Sequence, residues 1–310
     1  MTSPGIVATG VRRSFGNVHA VRDVTLQARA GAVTGLVGPN GSGKTTLLLM
    51  LASLLAPDGG TLRIGGIDPM ADPAGVRGIV GWMPDALGAW PSLTARETLE
   101  MTGRLYGLDA ARSRQGAERL LAEVALADLA DTPARVFSRG QKQRLGLARA
   151  LVHDPSVLLL DEPASGLDPQ ARIDLRVLLR RLAADGRTVL ISSHILSELE
   201  EVVDDAVFLL DGATVSAERV DAAARRGRTW RIRLADRDAT ASVLPIAQTL
   251  GLDAALVPID RRDVLVAFTS DATAASALAA LTAAGLPVAE FAATTGLIEH
   301  TFLDLEGGRS

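Results

Sequence analysis

Cysteine is absent from the 310 residues, which rules out disulfides and thiolate metal sites and suits a reducing compartment. Lysine is almost absent too. Of 32 basic residues only Lys44 and Lys142 are lysine, so against an arginine-rich background each marks a position of interest. No long apolar run is present: the longest, LLLMLASLLA at 47–56, is half of the roughly 20 residues a membrane-spanning helix needs. The opening MTSPGIVATG lacks the basic segment and apolar stretch of a secretory signal, and the chain is not expected to cross a bilayer by itself. Positive charge is not in excess either. A net charge of −4 argues against nucleic-acid binding through bulk electrostatics, and no nucleic-acid partner is expected. What remains is an ordinary globular balance, 47% hydrophobic and 22% charged, in a chain long enough for two domains.

Residues 5–36 alternate as strands do, in IVATGVRRSF, VRDVTLQA and AVTGLV. A glycine-rich turn follows, then a helical pattern through TTLLLMLASLLA that Pro57 should stop. TLRIGG and GIVGWMP read as short strands. From Thr94 the pattern is helical: TARE is a capping box opening a helix to about Leu105, and a second spans about 109–127. Then come strand VLLLD, a helix from Pro169 to Ala184, strand TVLISS, helix ILSELEEV, and strands AVFLLD and ATVSA. Continuous apolar strands alternating with helices indicate a parallel α/β sheet covered on both faces. The helical block 94–152 interrupts that alternation as an inserted subdomain, about 86–155 in extent. AAARRGRT at 222–229 reads as a hinge, dividing a first domain, 1–221, from a small α+β domain, 228–310, for which ferredoxin-like connectivity is expected.

GPNGSGKTT, residues 38–46, stands between an apolar strand and a helix, the context the G-x-x-x-x-G-K-[ST] motif requires. Gly38, Gly41 and Gly43 let the backbone of Gly38–Pro39–Asn40–Gly41–Ser42–Gly43 bend so that its N–H groups converge on phosphate oxygens, and the helix opening at Lys44–Thr45–Thr46 adds its dipole. Lys44 would reach the β- and γ-phosphates, where a compact ammonium suits better than guanidinium. Thr45 would offer its hydroxyl to Mg²⁺.

VLLLDEP puts Asp161 and Glu162 at the carboxyl end of a buried strand, the edge of an open α/β sheet where ligands bind. Asp161 is placed to hold Mg²⁺ directly or through water, and Glu162 to orient or deprotonate an attacking water. His194 ends TVLISSH at the same edge, where an imidazole can bond a γ-phosphate oxygen or the water. His19, His153 and His300 are given structural roles.

VFSRGQKQRLGLARAL, residues 136–151, is a helix with a capping box, Ser138 and Gln141. Arg139, Lys142 and Arg144 crowd the end where the dipole is already positive, so an anion is expected there.

The order of these motifs resembles the nucleotide-binding domains of ATP-binding cassette (ABC) transporters. The phosphate loop, FSRGQ at 137–141, LLLDEP at 158–163, SGLD at 165–168 and SSH at 192–194 follow that family's sequence, over about residues 5–215. The resemblance implies a P-loop cassette with an N-terminal antiparallel β subdomain, and an ATPase subunit using ATP and Mg²⁺. Two copies would close head to tail, each ATP lying between the Lys44 loop of one and Ser138, Arg139, Gly140 and Gln141 of the other. Asp161 would be the Mg²⁺ ligand, Glu162 the catalytic base, His194 the γ-phosphate sensor, and Asp168 part of the loop communicating across the dimer. Phe15 matches the aromatic that stacks on adenine, with core packing as its alternative. Asp85 stands where the family has a glutamine near the metal, and Phe137 and Arg139 replace the signature's usual leucine and first glycine. Trp82, Trp90 and the helix from Thr94 lie where a separate membrane permease would dock, packing being the alternative for the tryptophans. The tail ending GLIEHTFLDL is similar to those of exporter ATPases, implying a peripheral protein on the cytoplasmic face of the membrane. A soluble ABC ATPase acting on ribosomes or DNA is the rival reading, set against one cassette per chain and the acidic charge.

Overall fold

In a computed structural model the described residues are 4–85, 90, 92–224 and 226–307. They form two compact units, Met1–Val215 and Ser216–Ser310. The first unit opens with β1 (Pro4–Phe15), β2 (Val18–Arg29), β3 (Val33–Val37), α1 (Lys44–Leu51) and β4 (Gly59–Ile64). It continues with α2 (Pro73–Ile79), β5 (Val80–Met83), α3 (Ala95–Leu105), α4 (Ala110–Glu123), α5 (Arg139–Leu151) and β6 (Val157–Asp161). It closes with α6 (Pro169–Ala184), β7 (Thr188–Ser192), α7 (Leu196–Glu200), β8 (Asp205–Leu210) and β9 (Ala213–Thr214).

These strands make one sheet of nine, ordered β4-β1-β2-β9-β8-β3-β7-β6-β5. The β4-β1-β2 side is antiparallel, and β8-β3-β7-β6-β5 is parallel. Strands β3, β6 and β7 are buried at every position, which is why they read as unbroken apolar runs. The core beneath them joins Leu36, Leu47, Leu48, Leu51, Leu159, Leu190 and Leu209 to Ile6 and Leu26 of the antiparallel side. Each fully buried leucine contributes about 1.5–3 kcal/mol, so the helix behind the phosphate loop is held firmly to the sheet.

Several helices start at side-chain caps. Thr94 and Ser138 form capping boxes with Glu97 and Gln141, while Asp109 and Asp168 cap α4 and α6. Helix α1 starts at Gly43 without a side-chain cap.

Local details depart from expectation. Helix α1 does not run to Pro57. Ser53 turns left-handed, with φ +57°, and Leu54 N–H closes on Leu49 O at 2.9 Å, a Schellman-type stop that satisfies a terminal carbonyl. Part of GIVGWMP is helical: Asp72 caps α2 and Pro73 is its first residue, so the strand starts only at Val80. ATVSA yields only a two-residue strand before the chain turns helical at Ala217.

The second unit contains α8 (Ala217–Ala224), β10 (Arg228–Leu234), α9 (Ala239–Leu250), β11 (Ile259–Asp260), β12 (Asp263–Phe268), α10 (Asp271–Ala283), β13 (Val288–Ala293) and α11 (Leu297–Gly307). Its antiparallel sheet has the order β11-β12-β10-β13. From β10 to β13 the chain order is βαββαβ, the split βαβ arrangement of ferredoxin-like folds. Ile232, Leu234, Ile246, Val264, Val266 and Leu281 form its core.

Candidate active site

The phosphate loop leaves the end of β3, Asp161 is the last residue of β6, and Ser192 is the last of β7. These strands are neighbours, so their loops meet at one carboxyl edge. The loop itself needs glycine where it passes other backbone. A Cβ at Gly38 would lie 2.4 Å from Leu209 O, and one at Gly43, where φ is +98°, 2.4 Å from Ala20 O. Ala20 belongs to β2, and Phe15 pairs with Val18 at the start of that strand. Phe15 is therefore carried on the hairpin that packs against the loop. Phe15 is 48% exposed, with the Arg13 guanidinium over its ring at 4.9 Å, so it is not a core residue.

Lys44 is buried, and its ammonium donates to Gly38 O at 2.6 Å and Pro39 O at 2.9 Å. Burial lowers its pKa, and Glu162 and Asp161 partly offset this. The buried Ser42 hydroxyl has no hydrogen-bond partner among the described residues. An uncapped helix N-terminus, an ammonium and an orphaned hydroxyl together fit a polyphosphate.

Thr45 Oγ1–H donates to Asp161 Oδ2 at 2.9 Å, and Ser192 Oγ–H to Asp161 Oδ1 at 2.5 Å. A buried carboxylate paired with a hydroxyl is a hard oxygen donor set of the kind Mg²⁺ takes. Next to it, Glu162 Oε2 accepts from His194 Nδ1–H at 2.6 Å and from the His194 backbone N–H at 3.2 Å. The structure thus brings Lys44, Thr45, Asp161, Glu162 and His194 into one connected cluster.

Asp85 is exposed at the turn after β5, and the carboxylate that meets Thr45 is Asp161. Thr46 is half-buried on α1, while Asn40 and Gly41 are exposed in the loop. The Ser138 turn is attached to a different segment, the loop before α6. Arg139 Nη2 donates to Ser165 Oγ at 2.5 Å, a Cβ on Gly140 would approach Gly166 O at 3.1 Å, and Arg144 lies 3.6 Å from Asp168. The Ala171 N–H lowers the Asp168 pKa most, with Arg144 adding to it. Gly166 has φ +75°, and a Cβ there would fall 2.6 Å from Arg139 Cδ, so this glycine makes room for the arginine. Lys142 is half-buried one turn into α5.

Two further residues hold Glu162 and Asp161 in place. Gln143 donates to Glu162 O at 2.8 Å, and Ser192 Oγ accepts the Glu162 N–H at 3.1 Å while donating to Asp161. Ser192 opens the SSH motif that ends in His194.

A family profile described as ABC transporter matches residues 21–165. Nod factor export ATP-binding protein I of Ralstonia nicotianae is 38% identical over 69% of this chain and 67% of its own length. Daunorubicin resistance ATP-binding protein DrrA3 of Streptomyces coeruleorubidus is 32% identical over 99% of this chain and 97% of its own. A solved dimeric ATP-binding cassette, in a post-hydrolysis state bound to ADP and Pi, superposes with a TM-score of 0.63 at 26% identity, covering 68% of this chain and 97% of that one. The chain belongs to the ABC transporter family, as an ATP-binding subunit that hydrolyses ATP.

Proposed function

We propose that this chain powers an exporter as a homodimer, closing head to tail around two ATP and driving a separate polytopic permease at the cytoplasmic face of the membrane. One observation carries the dimer. Lys44, Thr45, Asp161, Glu162 and His194 form a cluster in one chain, whereas Ser138 and Arg139 are exposed at the start of α5, where Ser138 bonds Gln141 of its own helix and Arg139 bonds Ser165. A cationic helix N-terminus of that kind fits the γ-phosphate held by a second copy. The related cassette solved as a dimer with ADP and Pi supports this reading. Export follows the names of the relatives, one a Nod factor exporter subunit and one a daunorubicin resistance protein.

In this reading Lys44 neutralises the β- and γ-phosphate oxygens, and Phe15 stacks on the adenine. Thr45 and Asp161 would hold Mg²⁺, which supplies charge neutralisation across the phosphates. Glu162 orients the attacking water and accepts its proton. His194, bonded to that carboxylate, keeps it aimed and presents its second ring nitrogen to the γ-phosphate. Asp168, at the N-terminus of α6, fits the loop communicating across the dimer.

Among the described residues no helix is long and apolar enough to cross a membrane, so membrane association would come from the permease. Trp90 is 43% exposed and Leu105 of α3 71% exposed, whereas Trp82 packs against the core, leaving Trp90 and α3 as the docking candidates. The test is Glu162→Gln with ATP and Mg²⁺: a stable dimer by size exclusion with phosphate release nearly abolished is expected. Rapid turnover in that variant would sink the assignment of Glu162 as base. Co-purification with a polytopic membrane protein tests the permease.

A further inference from the structure

Glu162 has φ +52°, a left-handed backbone that residues with side chains hold only when the surroundings fix it. Its N–H donates to Ser192 O at 3.2 Å and Ser192 Oγ at 3.1 Å, and its carboxylate accepts from His194. These contacts come from β7 and the residues just after it. The Glu162 carbonyl is held differently. It accepts Ser165 N–H at 3.0 Å and Gln143 Nε2 at 2.8 Å.

Gln143 is 4% exposed and stands one turn into α5, the helix that begins at Ser138. A second thread runs from the same helix, since Arg139 bonds the Ser165 side chain while the Ser165 N–H holds the Glu162 carbonyl. The first turns of α5 are thus tied to the strained peptide that aims the Glu162 carboxylate.

We infer that Gln143 is a positioning residue for hydrolysis: it makes the first turns of α5 and the Glu162 backbone move together, so engagement of an anion at Ser138 re-aims the carboxylate of the same chain. This rests on the head-to-tail reading above. In such a dimer the nucleotide gripped by Ser138 sits on the partner's phosphate loop, while Glu162 attends the chain's own. Occupancy of one site then sets the geometry of the base in the other.

The test uses full-length Gln143→Leu, which keeps the volume and removes the donor, with Gln143→Met as a second variant should the first fail to fold. Loss of one hydrogen bond to the base predicts that kcat falls about tenfold while KM for ATP is unchanged. The fraction of chains entering a trapped dimer in the Glu162→Gln background counts competent molecules, and it should match that of Glu162→Gln alone. Turnover within twofold of wild type, or a kcat loss matched by the loss of trappable chains, would overturn the inference. A double variant adds the transmission step. With Ser138→Ala, the combined kcat loss should fall short of the product of the single losses, because both act through one link; a full product overturns the coupling. If Glu162→Gln itself traps no dimer, the dimer reading fails and this inference with it, an outcome distinct from a normal kcat in Gln143→Leu.

Discussion

Glu162 Oε2 and His194 Nδ1 are 2.6 Å apart, and the His194 backbone N–H bonds the same oxygen at 3.2 Å. One carboxylate oxygen is therefore occupied by histidine, and in the proposed mechanism the other would orient the water. His194→Ala should keep ATP binding and lose about 10²-fold or more in turnover, the scale of the general acid–base step it would support. Single-turnover phosphate release, compared with equilibrium ATP affinity, checks it. An equal loss in both would place His194 in ground-state binding.

Ser138→Ala removes a cap and, in the proposed dimer, a contact to the partner's ATP. ATPase activity should drop strongly while nucleotide affinity in dilute monomer stays near wild type. Lys44→Ala should lose that affinity outright. Calorimetry on both variants separates them: a matching loss of monomer affinity in Ser138→Ala would mean that the serine acts within its own chain.

Ser192→Ala deletes a donor to buried Asp161 and an acceptor for the Glu162 N–H. The Glu162 N–H keeps Ser192 O at 3.2 Å, but the buried Asp161 Oδ1 loses its donor, which should lower stability by about 1–3 kcal/mol. The metal requirement should shift upward as well, since Asp161 loses an orienting bond. Denaturant melts and an Mg²⁺ titration of ATPase activity read the two effects.

His153 stacks on Tyr106 at 3.7 Å, its Nε2 contacts Val80 O at 3.1 Å, and burial lowers its pKa from the ordinary 6.5. With the folded pKa below the unfolded one, the unfolded chain binds the extra proton, so stability falls as pH drops below about 6.5 towards the folded pKa. His153→Gln should flatten that part of the pH–stability curve. A curve unchanged by the substitution would assign the acid loss to other groups.

The phosphate loop and the Asp161–Glu162 strand end were legible because their signals are local: an apolar strand, a glycine turn and a helix in succession. The capping boxes at Thr94 and Ser138 were legible for the same reason. The bonds that Gln143 and Ser192 make to Glu162 were not, since those partners lie 19 and 30 residues away and only the folded sheet and α5 bring them together. The end of α1 was misjudged because a left-handed Ser53 stops a helix without the glycine that usually announces it. Arg139 could be seen as an unusual cation, but its attachment to Ser165 depends on a loop from another part of the chain.

That attachment makes what position 166 can hold depend on position 139. The arginine side chain fills the space a Cβ would take at Gly166, so even alanine there would both strain the backbone and evict Arg139. A chain with glycine at 139 would face only the first penalty. A substitution at 166 should therefore be less costly where 139 is also glycine, and a survey that changed 166 alone would overstate its backbone cost.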